Sequence, residues 1–173
     1  MGKLIVTADI HGSKNAWLTI TQKLTQNDCL AIAGDLFDTV YGSAGDRDFN
    51  PGYIKQGLES LPCPLHYVYG NCDQKDYVPG FDTQTSFQFD GLSYILNHGH
   101  LRLPDLTGYD VVIEGHSHVP RLESLMGKVF LNPGSPTYPR IDIETYATVE
   151  NRIISILSFK THRVLTQLDL KDI

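Results

Sequence analysis

The sequence has no hydrophobic run long enough to cross a membrane. Its apolar runs are short, as in Leu4–Val6 and Val111–Ile113, whereas a transmembrane helix needs ~20 apolar residues. No apolar stretch is followed by a small-residue cleavage site, so we expect neither a secretory signal nor a membrane anchor. A chain of 173 residues with these properties is expected to form one domain, residues 1–173, in the cytoplasm.

Cysteine is scarce, and its spacing excludes two kinds of small-protein scaffold. The three cysteines are Cys29, Cys63 and Cys72. Three thiols cannot all pair with one another, and none belongs to a CxxC motif. A disulfide framework and a structural zinc knuckle are therefore not expected, and a reducing compartment fits this usage best.

Basic charge is also in short supply. The chain has 14 lysines and arginines against 20 aspartates and glutamates, a formal charge of −6. A protein that binds long nucleic acids usually presents a basic face that neutralises phosphates. The composition therefore argues against long nucleic acids as partners, although it leaves small phosphoesters open.

The order of apolar and polar segments predicts an α/β fold. Within the first 75 residues, short buried strands alternate with helices predicted from Ser13 to about Leu24 and over 53–60, which is typical of parallel βαβ units. The second half is rich in strands, including a hairpin predicted about Asp90-Gly91. This asymmetry favours a layered sandwich with two sheets over a single Rossmann sheet.

Histidine is abundant, and most of it falls in short polar segments that follow predicted strands. There are seven histidines. Six such segments occur, at Asp9-Ile-His11, Gly34-Asp35 with Asp38, Gly70-Asn-Cys-Asp73, Asn97-His-Gly-His100, Gly115-His-Ser-His118 and Asn132-Pro-Gly-Ser135. Ligand sites of α/β sheets lie beyond the carboxyl ends of the strands. The six segments therefore predict one shared crevice.

The side chains in these segments suit a divalent metal ion. Carboxylate oxygen, imidazole nitrogen and amide oxygen together bind manganese, iron or zinc. In an extended chain, residues i and i+2 face the same way, so Asp9 and His11 are expected to reach one site, as are His116 and His118. Each segment alone is equally typical of an ordinary turn, and the hypothesis depends on the whole set.

Taken together, the motifs resemble those of a known family. The order DxH, GDxxD, GNxD, HGH and GHxH is similar to that of the calcineurin-like metallophosphoesterases, and in particular to the short bacterial and archaeal phosphodiesterases of the YfcE type. The resemblance spans residues 3–135 and implies a four-layer αββα sandwich. It also implies that Asp9, His11 and His118 hold one metal, that Asn71, His98 and His116 hold another, and that Asp35 bridges them.

The function implied by this resemblance is hydrolysis of a small phosphodiester. Two divalent ions, with Mn²⁺ expected and Fe, Zn or Ni as alternatives, share a hydroxide that attacks phosphorus in line. His100 is a candidate to contact substrate or donate a proton, and Asp38 and Asp73 are candidates to orient histidines. Many family members have histidine where this chain has Cys72, which weakens the case for a histidine general acid there.

Alternative functions differ in what they require of the sequence. A phosphomonoesterase of the same fold would use the same ligands. A non-catalytic interaction scaffold, like the retromer subunit Vps29, is expected to have lost some of them. A HAD-type phosphatase needs DxD where this chain has Asp9-Ile-His11, and is not expected. Exposed strands late in the chain leave a homodimer or a higher homo-oligomer open.

Overall fold

The computed structural model of the protein describes residues 2–43, 45–103 and 105–172. These residues form eleven strands, two α-helices and one short 3-10 helix. The strands are β1 (Leu4–Thr7), β2 (Cys29–Ile32), β3 (Leu65–Tyr67), β4 (Gln84–Phe89), β5 (Leu92–Asn97), β6 (Val111–Ile113), β7 (Arg121–Leu125), β8 (Lys128–Asn132), β9 (Thr145–Glu150), β10 (Ile153–Ser158) and β11 (Val164–Asp169). The α-helices are α1 (Lys14–Thr21) and α2 (Pro51–Leu58), and the 3-10 helix is Leu170–Asp172.

The first sheet contains strands from both the early and the late parts of the chain. Its strand order is β11-β10-β9-β1-β2-β3. β1, β2 and β3 run parallel, as the βαβ pattern predicts, with Leu4 opposite Cys29. On its other side β1 pairs antiparallel with β9, with Leu4 opposite Val149. The late strands therefore extend the same sheet as the early ones.

The second sheet has a parallel centre as well. Its order is β4-β5-β6-β8-β7, and the pairs β5–β6 and β6–β8 are parallel. β4 and β5 form the hairpin predicted about Asp90-Gly91. β7 was not predicted from the sequence. It is an edge strand with mostly exposed side chains, so it lacks the continuous apolar pattern that marks a buried strand.

The main core lies between the two sheets. Val6 and Ala31 of the first sheet and Leu96, Ile113 and Leu131 of the second belong to one cluster of fully or almost fully buried side chains. Sheets that pack face to face bury alternate residues along each strand. The core therefore fixes the two parallel strand sets against each other, and with them the loops at their carboxyl ends.

Both α-helices cover the outer face of the first sheet. Ile5 and Leu30 point to this side and pack in a second buried cluster with Trp17 of α1 and Ile54 of α2. The helices approach each other at Gly57, where a Cβ atom would overlap the Trp17 ring. A side chain at position 57 would therefore push α2 away from α1.

Each helix begins where its capping residue allows. The Ser13 hydroxyl accepts a hydrogen bond from the Ala16 amide (3.0 Å), and the Asn50 side chain accepts one from the Tyr53 amide (2.9 Å). Pro51 occupies the first turn of α2, where no backbone donor is needed. α1 ends at Thr21 instead of Leu24, and α2 starts two residues before the predicted position.

The predicted fold class, an α/β sandwich with two facing sheets, is confirmed. Of the four αββα layers that the resemblance implied, the described residues show the two sheets and the helical layer on the first sheet. The outer face of the second sheet is covered at its centre, where Val112 points away from the core and is fully buried. Ser86 and Gln88 of the edge strand β4 are exposed. The segment that joins β5 to β6 contains no α-helix among its described residues. α-Helices therefore form one of the two outer layers. No helix in the described ranges has the length and apolar character needed to cross a membrane.

Candidate metal centre

The six polar segments follow the parallel strands of both sheets. Three of them continue β1, β2 and β3, and three continue β5, β6 and β8. Backbone hydrogen bonds join neighbouring segments within each sheet, from the Gly115 amide to the His98 carbonyl (3.1 Å) and from the Asp9 amide to the Gly34 carbonyl (3.0 Å). Between the two sheets, His98 Nδ1 lies 2.7 Å from the Ala33 carbonyl. The carboxyl ends of the parallel strands thus converge at one edge of the sandwich.

A first group of side chains consists of Asp9, His11 and His118. His118 Nε2 lies 3.4 Å from Asp9 Oδ1 and 3.3 Å from His11 Nε2. One donor atom from each of the three residues lies within 4.8 Å of the others. Because the three donors face one point, this group has the arrangement that a single cation requires.

A second group surrounds His98. Its Nε2 lies 3.2 Å from Asn71 Oδ1 and 3.3 Å from Asp35 Oδ2, and its ring centroid lies 5.1 Å from that of His116. Asp35 Oδ2 also lies 3.9 Å from His11 Nε2. Asp35 therefore stands between the two groups, at the position that a shared ligand would occupy.

The backbone that presents these residues is not extended, which corrects one part of the sequence argument. A positive φ is found at Asp9 (54°), His11 (49°), Asp35 (50°), Asp38 (51°), His116 (66°) and His118 (57°). The i, i+2 spacing was expected to place both residues of each pair on one side of an extended chain. Asp9 and His11 do meet, but through left-handed turns. His118 joins them, whereas His116 lies beside His98.

Residues beyond the two groups hold the loops in place. Asp73 accepts hydrogen bonds from the amides of Leu36 (3.2 Å), Phe37 (2.8 Å) and Gly70 (3.1 Å) and from the Tyr67 hydroxyl (2.8 Å). It was predicted as a residue that orients a histidine. In the structure its oxygens instead accept hydrogen bonds from backbone amides, and so they fix the backbone between Asp35 and Asp38.

Two members of the last polar segment act on the loops in a similar way. The Ser135 hydroxyl donates to the Asp9 carbonyl (2.8 Å). The Asn132 amide group donates to the Gly115 carbonyl (2.7 Å). This segment therefore contributes no donor to the two groups, and it fixes the backbone on either side of them.

Three histidines direct Nε2 towards the two donor groups, because Nδ1 on the other side of each ring lies within hydrogen-bond distance of an oxygen atom. His11 Nδ1 lies 3.1 Å from Asp38 Oδ2, His98 Nδ1 lies 2.7 Å from the Ala33 carbonyl, and His118 Nδ1 lies 2.6 Å from the Tyr138 carbonyl. An oxygen acceptor at Nδ1 favours the tautomer with its proton there. The lone pair of Nε2 is then free to bind a cation.

Burial controls the charges at the centre. It raises the pKa of Asp9 to about 8, although the charge of His98 and the His116 amide oppose it. Burial acts in the same direction on Asp35, but the hydrogen bond and charge of His98 outweigh it and hold the Asp35 pKa below the ordinary range. The same interaction with Asp35 raises the pKa of His98 against the effect of burial.

Burial also lowers the pKa of both His116 and His118, so these imidazoles are neutral at pH 7. Neutral imidazole is the form that binds metals.

The donor set fits a cation. Asp9, Asp35 and Asp38 are almost fully buried at this centre, and buried carboxylates are costly unless a positive charge offsets them. Asp38 Oδ1 has no hydrogen-bond partner among the described residues. Three buried carboxyl groups close to the neutral imidazoles of His116 and His118 are therefore an arrangement that divalent ions would stabilise.

His100 and Cys72 lie beside the two groups. The His100 ring centroid is 5.2 Å from that of His98 and 6.2 Å from that of His116. The Cys72 amide donates to Asp35 Oδ1 (2.8 Å), and burial raises the pKa of its thiol well above the usual range. Cys72 therefore stays a neutral thiol at pH 7.

One residue at the centre was not singled out from the sequence. Tyr138 supplies the carbonyl that holds His118, and its ring lies 5.4 Å from that of His11 in an edge-on contact. A main-chain acceptor leaves no residue-type signal, so no local pattern could have shown it. Two arginines lie nearby. Arg140 lines the same groove as Tyr138, and Arg102 lines a smaller cavity beside His100.

Comparison with known proteins shows several relatives. The chain is 28% identical over 181 residues to phosphodiesterase YfcE of Escherichia coli K12, covering 97% of this chain and 98% of that protein. It is 29% identical to a probable metallophosphoesterase of Mycoplasma pneumoniae, covering 81% of this chain and 82% of that one.

Solved structures show the same fold. The E. coli phosphoesterase Yfce superposes with a TM-score of 0.81 at 24% identity, over 97% of this chain and 99% of that chain. Vps29 of Entamoeba histolytica, complexed with zinc, superposes with a TM-score of 0.68 at 19% identity, over 97% and 99%.

The sequence profile of the calcineurin-like phosphoesterase superfamily domain matches residues 3–152. This range includes every polar segment that meets at the metal centre. The predicted family is therefore confirmed, and the chain belongs to the calcineurin-like phosphoesterase superfamily.

Proposed function

We propose that the protein is a metal-dependent phosphodiesterase that acts on a small phosphodiester. The observation that carries the proposal is the pair of donor groups that share Asp35 at the edge where both sheets end. Membership of the superfamily supports the metal-dependent hydrolysis of a phosphoester. The relative named phosphodiesterase YfcE, which aligns over nearly the whole of both chains, favours a diester.

The proposed ligands are the seven residues expected from the sequence. Asp9, His11 and His118 would hold one ion; Asn71, His98 and His116 would hold a second; Asp35 would serve both. We propose Mn²⁺ for both positions, since mixed imidazole and oxygen donors suit it. When bound, such ions supply a nucleophile from water at neutral pH and neutralise charge on the phosphoryl group.

The remaining residues would act by positioning. Asp38 holds Nδ1 of His11 and so would fix its ring and strengthen its Nε2 as a donor. Burial and the charge of His98 lower the pKa of His100, so a neutral His100 would hydrogen-bond to the substrate. Cys72 occupies the position where many members of the family have histidine, so no histidine general acid would act from there.

Further features belong to the same proposal. β1 and the late strands share one sheet, which supports a single domain over residues 1–173. Cys29, Cys63 and Cys72 are free thiols in the structure, which supports a place in the reducing cytoplasm. β11, whose side chains are mostly exposed, is the strand through which a homodimer would form.

A second candidate function is that of an interaction scaffold. The likeness of fold to Vps29 favours it. A scaffold needs no cluster of buried carboxylates, so the intact donor groups favour the enzyme.

The test is to assay purified protein with bis(p-nitrophenyl) phosphate and with p-nitrophenyl phosphate, after chelation and after addition of Mn²⁺. We expect metal-dependent diester hydrolysis. Asp35→Ala or Asn71→Ala should lower it more than about 100-fold, since even second-shell changes cost 10–100-fold. The controls Asp76→Ala and Asn27→Ala alter exposed side chains of the same types. Diester hydrolysis retained in both site variants would overturn the two-metal proposal, and metal binding without hydrolysis would favour the scaffold.

A further inference from the structure

An open groove of about 630 Å³ leads away from the metal centre on the side of His11 and His118. His11 and His118 themselves line it, together with Asp38 and Cys72, so a substrate held at the two donor groups would have direct access to it. The volume lies in the range of small-molecule sites. The groove is therefore placed to receive one ester group of a phosphodiester.

The walls of the groove carry two exposed tyrosines. Tyr41 is 75% exposed and Tyr138 is 42% exposed, and both line the groove. Tyr138 is held in position, because its carbonyl binds His118 and its ring lies against His11. Exposed aromatic rings beside a binding site offer flat surfaces on which another ring can stack.

Arg140 adds a positive charge at the same wall. Its amide donates to the His118 carbonyl (3.2 Å), and its exposed side chain lines the groove. The guanidinium forms no ion pair with any carboxylate in the described part of the chain. A free guanidinium binds anionic oxygens and also stacks on flat rings.

A second, smaller cavity at the metal centre has a different character. It lies beside His100, and its lining includes Leu101 and Arg102 but no tyrosine, phenylalanine or tryptophan of the described residues. The two ester groups of a diester would therefore meet unlike surfaces, only one of which carries tyrosine rings. This difference assigns the aromatic preference to the groove and not to the site as a whole.

We infer that the groove lined by Tyr41 and Tyr138 selects a phosphodiester with an aromatic ring on one ester group, either an aryl ring or a nucleobase. The inference rests on the proposed function in that the phosphate is held at the metal centre. The ring would stack on the tyrosines, and Arg140 would face the anionic phosphate. Tyr41 and Tyr138 are thus specificity-determining residues.

The test measures binding by calorimetry, with Mn²⁺-loaded protein and two diesters of equal charge and similar size. Diphenyl phosphate carries aromatic rings, and dicyclohexyl phosphate carries saturated ones. We expect diphenyl phosphate to bind about fivefold more tightly, as one stacking contact allows. If the groove buried the ester group without stacking on it, dicyclohexyl phosphate, which is the more apolar diester, would bind more tightly. The methyl ester of adenosine 5′-monophosphate tests whether a nucleobase uses the same tyrosines.

Substitutions at Tyr138 distinguish the contribution of its aromatic ring from that of its hydroxyl group and backbone. Tyr138→Phe keeps the ring and should keep the preference, whereas Tyr138→Leu and Tyr41→Leu should each reduce it to less than about twofold. Tyr53→Leu, on α2 and outside the groove, is the matched control. A preference that is absent in the natural sequence, or unchanged in both leucine variants, would overturn the inference.

Hydrolysis measured on the same samples keeps the two proposals apart. Tyrosine-dependent binding without turnover would refute the proposed activity and leave the aromatic groove standing. Turnover without the binding preference would support the proposed activity and refute the inference about the aromatic groove.

Discussion

Asp73 is a buried carboxylate whose replacement tests how the loop that carries Asp35 is held. It is 7% exposed and accepts three amide hydrogen bonds and one from the Tyr67 hydroxyl. Asp73→Ala would leave these four donors without their acceptor. Because two of the amides belong to Leu36 and Phe37, the segment after Asp35 would lose its anchor.

The expected loss of stability follows from these contacts. At ~1 kcal/mol for each hydrogen bond that loses its partner, Asp73→Ala should lower the free energy of unfolding by about 4 kcal/mol. An unfolding entropy of ~2.1 cal/mol/K per residue converts this to a fall in melting temperature of ~11 °C. Asp73→Asn should cost less, about 2 kcal/mol, since its amide oxygen can still accept three bonds while its NH₂ group opposes the Phe37 amide.

Urea unfolding at pH 7, followed by circular dichroism, measures these differences. Asp76→Ala removes an exposed aspartate three residues away and serves as the control. Tyr67→Phe removes one of the four donors and should cost ~1 kcal/mol in the natural background. In the Asp73→Ala background the same change should cost almost nothing, because its partner is already gone.

The reasoning fails if Asp73→Ala lies within ~1 kcal/mol of the Asp76→Ala control, since that is the size of an ordinary surface change. It fails equally if Tyr67→Phe costs the same in both backgrounds. Either result would mean that the loop is held by contacts other than the Asp73 carboxylate.

Two further predictions concern single carboxylates. Asp38→Asn should weaken Mn²⁺ binding by about tenfold in calorimetry, because the amide is a poorer acceptor for the Nδ1 proton of His11; an unchanged affinity would refute a positioning role. Asp28 accepts hydrogen bonds from Lys3 and Thr25, which outweigh the effect of burial and lower its pKa. Its contribution should be fully present above pH ~4, the pKa of an unfolded aspartate, and be lost as the pH falls through the lower folded value. Asp28→Asn should therefore cost ~1–2 kcal/mol at pH 7 and progressively less in acid, and a cost that does not vary with pH would contradict this.

The sequence predicted most of the sheets because their strands are short apolar runs that end in polar residues. Cys29–Ile32 and Val111–Ile113 are fully buried strands of this kind, and hydrophobicity alone marks them. β7 was not predicted, because an edge strand exposes most of its side chains and so lacks an apolar run. Its two leucines, Leu122 and Leu125, are three residues apart, a spacing that suggests a helix as readily as a strand.

The candidate ligands were predictable by residue type, but their geometry was not. Histidine and aspartate next to glycine form a recognisable pattern, and the structure brings the predicted side chains together. The left-handed φ values at Asp9 and His118 depend on contacts between distant loops, which no local pattern encodes. The role of Tyr138 could not be predicted either, because it holds His118 through its backbone carbonyl. Nor could that of Asp73, because the amides that it binds, those of Leu36 and Phe37, are distant from it in the sequence.

The pairing of β1 with β9 sets the order in which the protein can form during synthesis. Leu4 pairs with Val149, so β1 waits for a partner that is made about 145 residues later in the chain. At ~5–20 residues per second, a ribosome needs roughly 7–30 s to reach that partner. Until then one edge of β1 is unprotected and open to pairing with other chains. Folding of this sheet therefore cannot be completed before β9 has been synthesised, and the nascent chain exposes the unpaired edge of β1 until then.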